Sequence, residues 1–128
     1  MRLLLDTHAL AWWALDDKRL SPLARMEIGR KESDIFVSIA STWEMAIKVG
    51  LGKWPEVRQL LDEIEGKITA EGFQVLSISI QHVRMAGLMQ SPHRDPFDRL
   101  LAAQAIIEGL TLVSADSKIA NLGAPHFW

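Results

Sequence analysis

Residues 1–15 read MRLLLDTHALAWWAL, with three leucines at 3–5, then Asp-Thr-His, then an apolar stretch of helical period. A brief apolar run halted by a polar residue and followed at once by a helical pattern is how a strand covered on both faces enters a crossover helix. The same grammar recurs down the chain. IFVSI at 35–39, FQVLSI at 73–78 and LTLV at 110–113 are short, β-rich and nearly continuous in apolar residues. Helical periodicity fills 8–15, 21–32, 41–51, 56–66, 80–90, 97–109 and 116–122, and HFW at 126–128 is a candidate edge strand. Such alternation implies right-handed crossovers, so the spacing predicts an α/β fold, a central parallel sheet of four to five strands between helical layers.

The 128 residues, 48% of them hydrophobic, suit one domain spanning 1–128 with enough apolar material for its core. Zero cysteines exclude thiol catalysis, thiolate zinc sites and Fe–S clusters, and make the reducing cytoplasm the simplest setting. The longest uninterrupted apolar run is residues 9–15, far short of the ~20 residues of a membrane span. Asp6 and His8 interrupt what would otherwise resemble the apolar stretch of a signal peptide. A net charge of −2 argues against nucleic-acid binding by bulk positive charge, yet permits a nuclease whose acidic residues are gathered in one place.

Open α/β sheets bind ligands at the carboxyl ends of their strands. Asp6 ends the first strand, Glu44 is expected in the first turn of the helix after the second, and Asp116 follows the fourth. The 97–109 helix feeds the fourth strand from its amino end, so Asp98 at the helix start belongs to the same carboxyl edge. Each acid also has a purely local explanation. Asp6 or Thr7 can cap the first helix, and Asp95-Pro96 reads as a cap with proline at N1, leaving Asp98 at N3. Ser41 and Glu44 have the spacing of a capping box, and Glu44 with Lys48 that of an ion pair. Asp116 behind Ser114 again resembles a cap. Capping does not explain why four carboxylates should share one edge, where like charges raise one another's pKa.

A bound cation removes that objection. Carboxylate oxygens without cysteine suit Mg²⁺ or Mn²⁺, which bind protein carboxylates and substrate phosphates together, and phosphodiester hydrolysis by one or two such ions is the reaction this donor set predicts. Outside the four acids the chain would carry 14 bases against 12 acids. Arg94, Arg99, Lys48, Lys53 and Lys118 are candidate phosphate contacts, and Trp12, Trp13 and Trp54 candidates for stacking on nucleic-acid bases or anchoring a partner. GLGKW at 50–54 is no phosphate loop, because position 47 is Ile and no Ser or Thr follows Lys53. His8, His82, His93 and His126 show no HExxH spacing and read as structural, with His93 best placed to support a ligand.

LLLDTHAL (3–10), ASTWEMAIKVGLGKW (40–54), DPFDRLLAAQA (95–105) and LVSADSKI (112–119), in this order and spacing, resemble the motifs of PIN-domain ribonucleases. Among these, the short chain most resembles the VapC toxins of type II toxin–antitoxin pairs. The resemblance implies a PIN-like three-layer α/β/α domain and a metal-dependent endoribonuclease. It maps the catalytic and metal-binding acids onto Asp6, Glu44, Asp98 and Asp116, with Thr7 as the hydroxyl after the first aspartate. Asp98, which precedes the alanine-rich RLLAAQA helix, is preferred over Asp95 as the third acid. Ser114, Asp95, His93, Arg99 and Lys48 are left as supporting or substrate-contacting residues. The resemblance also implies an RNA substrate, a homodimer and a cognate antitoxin covering the acidic groove. Three rival readings are a PIN-like module that only binds a partner, a housekeeping PIN nuclease with no antitoxin, and a phosphotransfer domain phosphorylated on Asp6. The last is disfavoured because a haloacid-dehalogenase-like site would want aspartate at position 8, where the chain has His8.

Overall fold

β1 (Arg2–Leu5) lies at the centre of the molecule, with Leu3, Leu4 and Leu5 completely buried. The computed structural model describes all 128 residues. β2 (Asp34–Ser38) and β3 (Gln74–Leu76) lie to one side of β1, β4 (Thr111–Val113) and β5 (His126–Phe127) to the other, in the order β3-β2-β1-β4-β5. Every pairing is parallel. HFW thus does supply an edge strand. The chain starts in the middle and extends first one way and then the other, which makes the β1–β4 boundary the topological switch point where α/β sheets open a ligand crevice.

Side chains alternate across the sheet, so β1 serves two cores. Leu3 and Leu5 join Ile35, Val37 and Val113 on one face, under α1 (Thr7–Ala14), α2 (Pro22–Gly29), α4 (Arg58–Asp62) and α5 (Ile64–Ala70). Leu4 and Leu112 join Leu100, Leu101, Ala102, Ala103 and Ala105 on the other face, under α7 (Pro96–Glu108), which packs on α6 (Ile80–Leu88). The alanines let α7 approach the sheet closely. This is the three-layer α/β/α arrangement expected. No helix is long and apolar enough to cross a membrane.

Local chemistry moves several boundaries. α3 (Ile39–Gly50) starts directly after β2 because Ser38 caps it, its hydroxyl accepting from Ala40 N–H at 3.0 Å. Ser41 is therefore inside the helix and buried, so the expected Ser41–Glu44 capping box does not form, and Glu44 lies in the second turn, not the first. The helix expected over 56–66 is a 3₁₀ turn at Pro55–Val57 followed by α4 and α5, bent at Glu63 so that Val57, Leu60, Ile64 and Ile68 all meet one core. Residues Ser117–Leu122 form a 3₁₀ helix whose buried Ile119 and Leu122 match its three-residue turn. Trp13 packs on Phe73, with ring centroids 6.2 Å apart, and against Gly29, half-buried at the margin of the core that holds Leu3 and Leu5.

Candidate active site

Asp6 leaves β1 in extended conformation (φ −74°, ψ 174°), its N–H still bonded to Val113 O across the sheet, and its carboxylate caps α1 by accepting from Ala9 N–H at 2.8 Å. The residue is 7% exposed. Its carboxyl is raised from 3.8 to about 6, chiefly by burial and further by the charges of Asp98 and Glu44, against hydrogen bonding from Ser114 and Ala9 N–H, which lowers it. Capping and clustering are thus not alternatives at this position. The Ser114 side chain stands between two of the acids, lowering the Asp6 carboxyl's pKa and accepting from Asp116 N–H at 3.1 Å.

Asp98 stands at N3 of α7, behind the cap made by Asp95, whose Oδ1 accepts from Phe97 and Asp98 N–H. Asp95 is therefore a helix cap. Burial raises the Asp98 carboxyl; the hydrogen bond from His93 opposes this, and Asp95 and Asp116 raise it further. His93 Nε2 lies 2.8 Å from Asp98 Oδ2. Asp116 caps the 3₁₀ helix through Lys118 N–H at 2.9 Å. Metal-ligating atoms of His93, Asp98 and Asp116 all lie within 4.8 Å of one another.

Glu44 belongs to the same field, since its charge is felt at Asp6, but both its oxygens are engaged. Oε1 accepts from Thr7 Oγ1 at 2.5 Å and Oε2 pairs with Lys48 Nζ at 3.0 Å. Lys48 in turn lies over the Trp54 ring, 5.5 Å from its centroid. The expected Glu44–Lys48 ion pair is present, and Lys48 is committed to it.

Arg99 forms no part of the acidic edge. Its guanidinium donates to His93 O at 2.8 Å, Ala86 O at 3.1 Å, Met89 O at 3.0 Å and Ser91 O at 3.0 Å, gathering the loop between α6 and α7. Arg99→Met, which keeps the apolar stem, should cost about 2–4 kcal/mol by leaving those carbonyls without partners. Chemical denaturation measures this, and an unchanged midpoint would return Arg99 to a phosphate-contact role. Arg94, Lys53 and Lys118 are exposed.

The histidines divide. His82 is structural: buried at N3 of α6, it completes a capping box with Ser79. His126 contacts Ala124 O. His8 instead stands between Trp54 and Trp12, at 4.9 and 5.4 Å between centroids, and Trp12 meets Trp128 edge-on at 5.6 Å. Burial and Lys48 lower the His8 pKa, while the charges of Glu44 and Asp116 oppose this, which places the aromatic ledge beside the acids. In sequence His8 reads as structural and Trp128 as part of an edge strand, and their grouping is not legible there because nothing local links positions 8, 12, 54 and 128.

With the Asp6 pKa above its unfolded value, the folded protein binds this proton more tightly than the unfolded chain. Asp6 therefore contributes full stability below about pH 4 and loses about 3 kcal/mol of it as pH rises to about 6 and above, in the absence of a cation. The stability of Asp6→Asn relative to wild type, measured by urea unfolding in EDTA, should grow by that amount between pH 4 and 7. A pH-independent difference would mean that the Asp6 carboxyl is not perturbed. The carboxylates that repel one another here are hard oxygen donors, and they fit a divalent cation that would relieve the repulsion.

Comparison with known proteins agrees with this fold. Ribonuclease VapC22 of Mycobacterium tuberculosis is 26% identical over 134 residues, covering 96% of this chain and 93% of the relative. Among solved structures, VapBC2 from Rickettsia felis bound to a DNA fragment from their promoter superposes with a TM-score of 0.70 at 17% identity, covering 100% of this chain and 99% of that one. FitAcB from Neisseria gonorrhoeae gives 0.67 at 20% identity, covering 98% and 96%. At these identities the structures speak for the fold. The PIN domain model matches residues 3–125, nearly the whole chain, and with a parallel sheet whose switch-point edge carries clustered acids, this protein belongs to the PIN domain family.

Proposed function

We propose that the protein is a metal-dependent endoribonuclease, the toxin of a toxin–antitoxin pair. The observation that carries this reading is the gathering of Asp6, Asp98 and Asp116 at the switch-point edge, with burial and mutual charge raising the carboxyls of Asp6 and Asp98. Its family setting adds support, since the M. tuberculosis relative is a ribonuclease by name and the similar solved structures include VapBC complexes. Asp6, Asp98 and Asp116 would hold Mg²⁺ or Mn²⁺, with Glu44 as a further acid of the set. A divalent ion there supplies water activation and stabilisation of the leaving oxygen during phosphodiester hydrolysis. The protein's part is positioning. Ser114 orients Asp6, Thr7 and Lys48 orient Glu44, and the Arg99-gathered loop sets His93 against Asp98.

An acidic cleft beside an aromatic ledge also defines the inhibitor. A cognate antitoxin is proposed to insert an arginine fork among the carboxylates and to anchor on Trp12 and Trp54. Trp13, expected as a third anchor, packs on Phe73 and not with the His8, Trp12 and Trp54 group. The homodimer has a candidate surface on α3, where Ile39, Trp43 and Ile47 recur at four-residue spacing and remain exposed. A cytoplasmic location belongs to the same proposal.

Expression of the chain alone should arrest growth, and co-expression of the small open reading frame beside it should restore growth. RNA cut after induction should carry 5′-phosphate and 3′-hydroxyl ends, read by sequencing the 5′ ends. A chain that is harmless alone but cuts RNA in vitro would be a housekeeping PIN nuclease. One that binds a partner and cuts nothing would be a silent binding module.

A further inference from the structure

The four-carboxylate reading leaves out the group that lies closest to Asp98. His93 Nε2 is 2.8 Å from Asp98 Oδ2, and with Asp116 the two form the set of ligating atoms within 4.8 Å of one another. The ring's place is built. His93 O accepts from Arg99 Nε at 2.8 Å, His93 N–H donates to Ser91 Oγ at 3.2 Å, and the other Arg99 contacts tie down Ala86, Met89 and Ser91 on the way to it. Four carbonyls on one guanidinium is a large investment for a loop that does nothing but connect two helices. Adjacent ligands on an octahedral ion at about 2.1 Å lie about 3 Å apart. The Nε2–Oδ2 separation of 2.8 Å is already close to that value.

We propose that His93 is a nitrogen ligand of the metal centre, presented by the Arg99-gathered loop, and that the resulting mixed nitrogen and oxygen donor set favours Mn²⁺ over Mg²⁺. The proposal rests on the metal-dependent reading above and deepens it by assigning the ion's chemistry. Mg²⁺ is hard, prefers oxygen and keeps its waters, whereas imidazole suits the transition ions and raises their affinity selectively. Coordination uses the Nε2 lone pair, so the binding form is the neutral imidazole with its proton on Nδ1. Arg99 is in this account a positioning residue that never touches the ion.

Metal-free full-length protein, loaded with Mn²⁺ alone, is examined by pulsed EPR. Directly coordinated ¹⁴N coupling is expected in wild type and should vanish in His93→Gln. Calorimetric titration should show Mn²⁺ affinity falling about tenfold or more in His93→Gln, with Mg²⁺ affinity falling less, so that the Mn²⁺/Mg²⁺ preference narrows. Arg99→Lys should shift the preference the same way and more weakly. Mn²⁺ bound to wild type without ¹⁴N coupling would overturn the assignment of His93 while leaving a carboxylate metal site standing. Coupling that persists in His93→Gln, or an unchanged preference in that variant, would equally overturn it. Failure of wild type to bind Mn²⁺ at all would overturn both this assignment and the metal-dependent reading. The wild-type spectrum requires no variant to fold.

Discussion

Asp98→Asn should reduce RNA cleavage by roughly 10³-fold, about 4 kcal/mol of transition-state stabilisation, while leaving the metal-free protein as stable as wild type or more so. The stability half of this expectation follows from position. Asp98 is at N3, and the cap of α7 is Asp95, so the helix keeps its cap in the variant. Asparagine retains an oxygen that can accept from His93 Nε2–H, and it removes a charge that burial, Asp95 and Asp116 all disfavour. Asp6 and Asp116 differ because both are caps. Their Asn variants should lose activity without losing stability, since Asn caps as well as Asp, and Asp6→Asn should gain stability towards neutral pH because the Asp6 pKa is raised, whereas their Ala variants should lose the cap, worth about 0.5–2 kcal/mol. Thermal melts of the Asn and Ala series in EDTA, alongside cleavage rates, measure the pattern. A clear fall in melting temperature for Asp98→Asn would identify the His93–Asp98 pair as a structural bond and count against a catalytic cluster.

Excess EDTA should abolish cleavage, and added Mn²⁺ or Mg²⁺ should restore it. The same addition should raise the melting temperature of wild type, because an ion that binds only the folded protein at about 100 times its Kd stabilises it by about 2.7 kcal/mol. Asp98→Asn should show little of that gain. The two readouts separate a metal site from an adventitious effect on RNA. Undiminished cleavage in EDTA would favour acid–base chemistry by His8 and His93, which stand at the same edge as the acids.

Periodicity located all five strands, the central β1, β2 and β4 because buried strands are written as apolar runs, and the more exposed edge strands β3 and β5 from short β-rich runs. It was less successful where local signals competed. Ser41 carries the spacing of a cap three residues before Glu44, but Ser38 wins because β2 has already turned into helix by Ile39. The 56–66 helix looks continuous as a pattern, and it bends because one straight stripe does not keep Val57 through Ile68 on a single curved core. At the site, the edge argument selected Asp6, Asp98 and Asp116 from strand ends and helix direction alone, and the folded chain brings them into one field. In sequence Arg99 reads as a candidate phosphate contact or supporting residue, since its position beside Asp98 is visible in the string and its four carbonyl partners, from Ala86 to His93, are not.

The string of residues specifies the strands and helices, the parallel sheet and the edge on which the acids collect. These depend on period, on caps such as Asp95-Pro96 and on the handedness of crossovers, all of them short-range or generic rules. Folding adds which acid is buried enough to shift its proton, that His93 faces Asp98, that Thr7 and Lys48 hold Glu44, and that His8, Trp12, Trp54 and Trp128 form a ledge. Those facts depend on distances of a few ångströms between side chains brought together mostly from different elements. Burial and Coulomb interaction vary steeply over such distances, and sequence separation carries no measure of them.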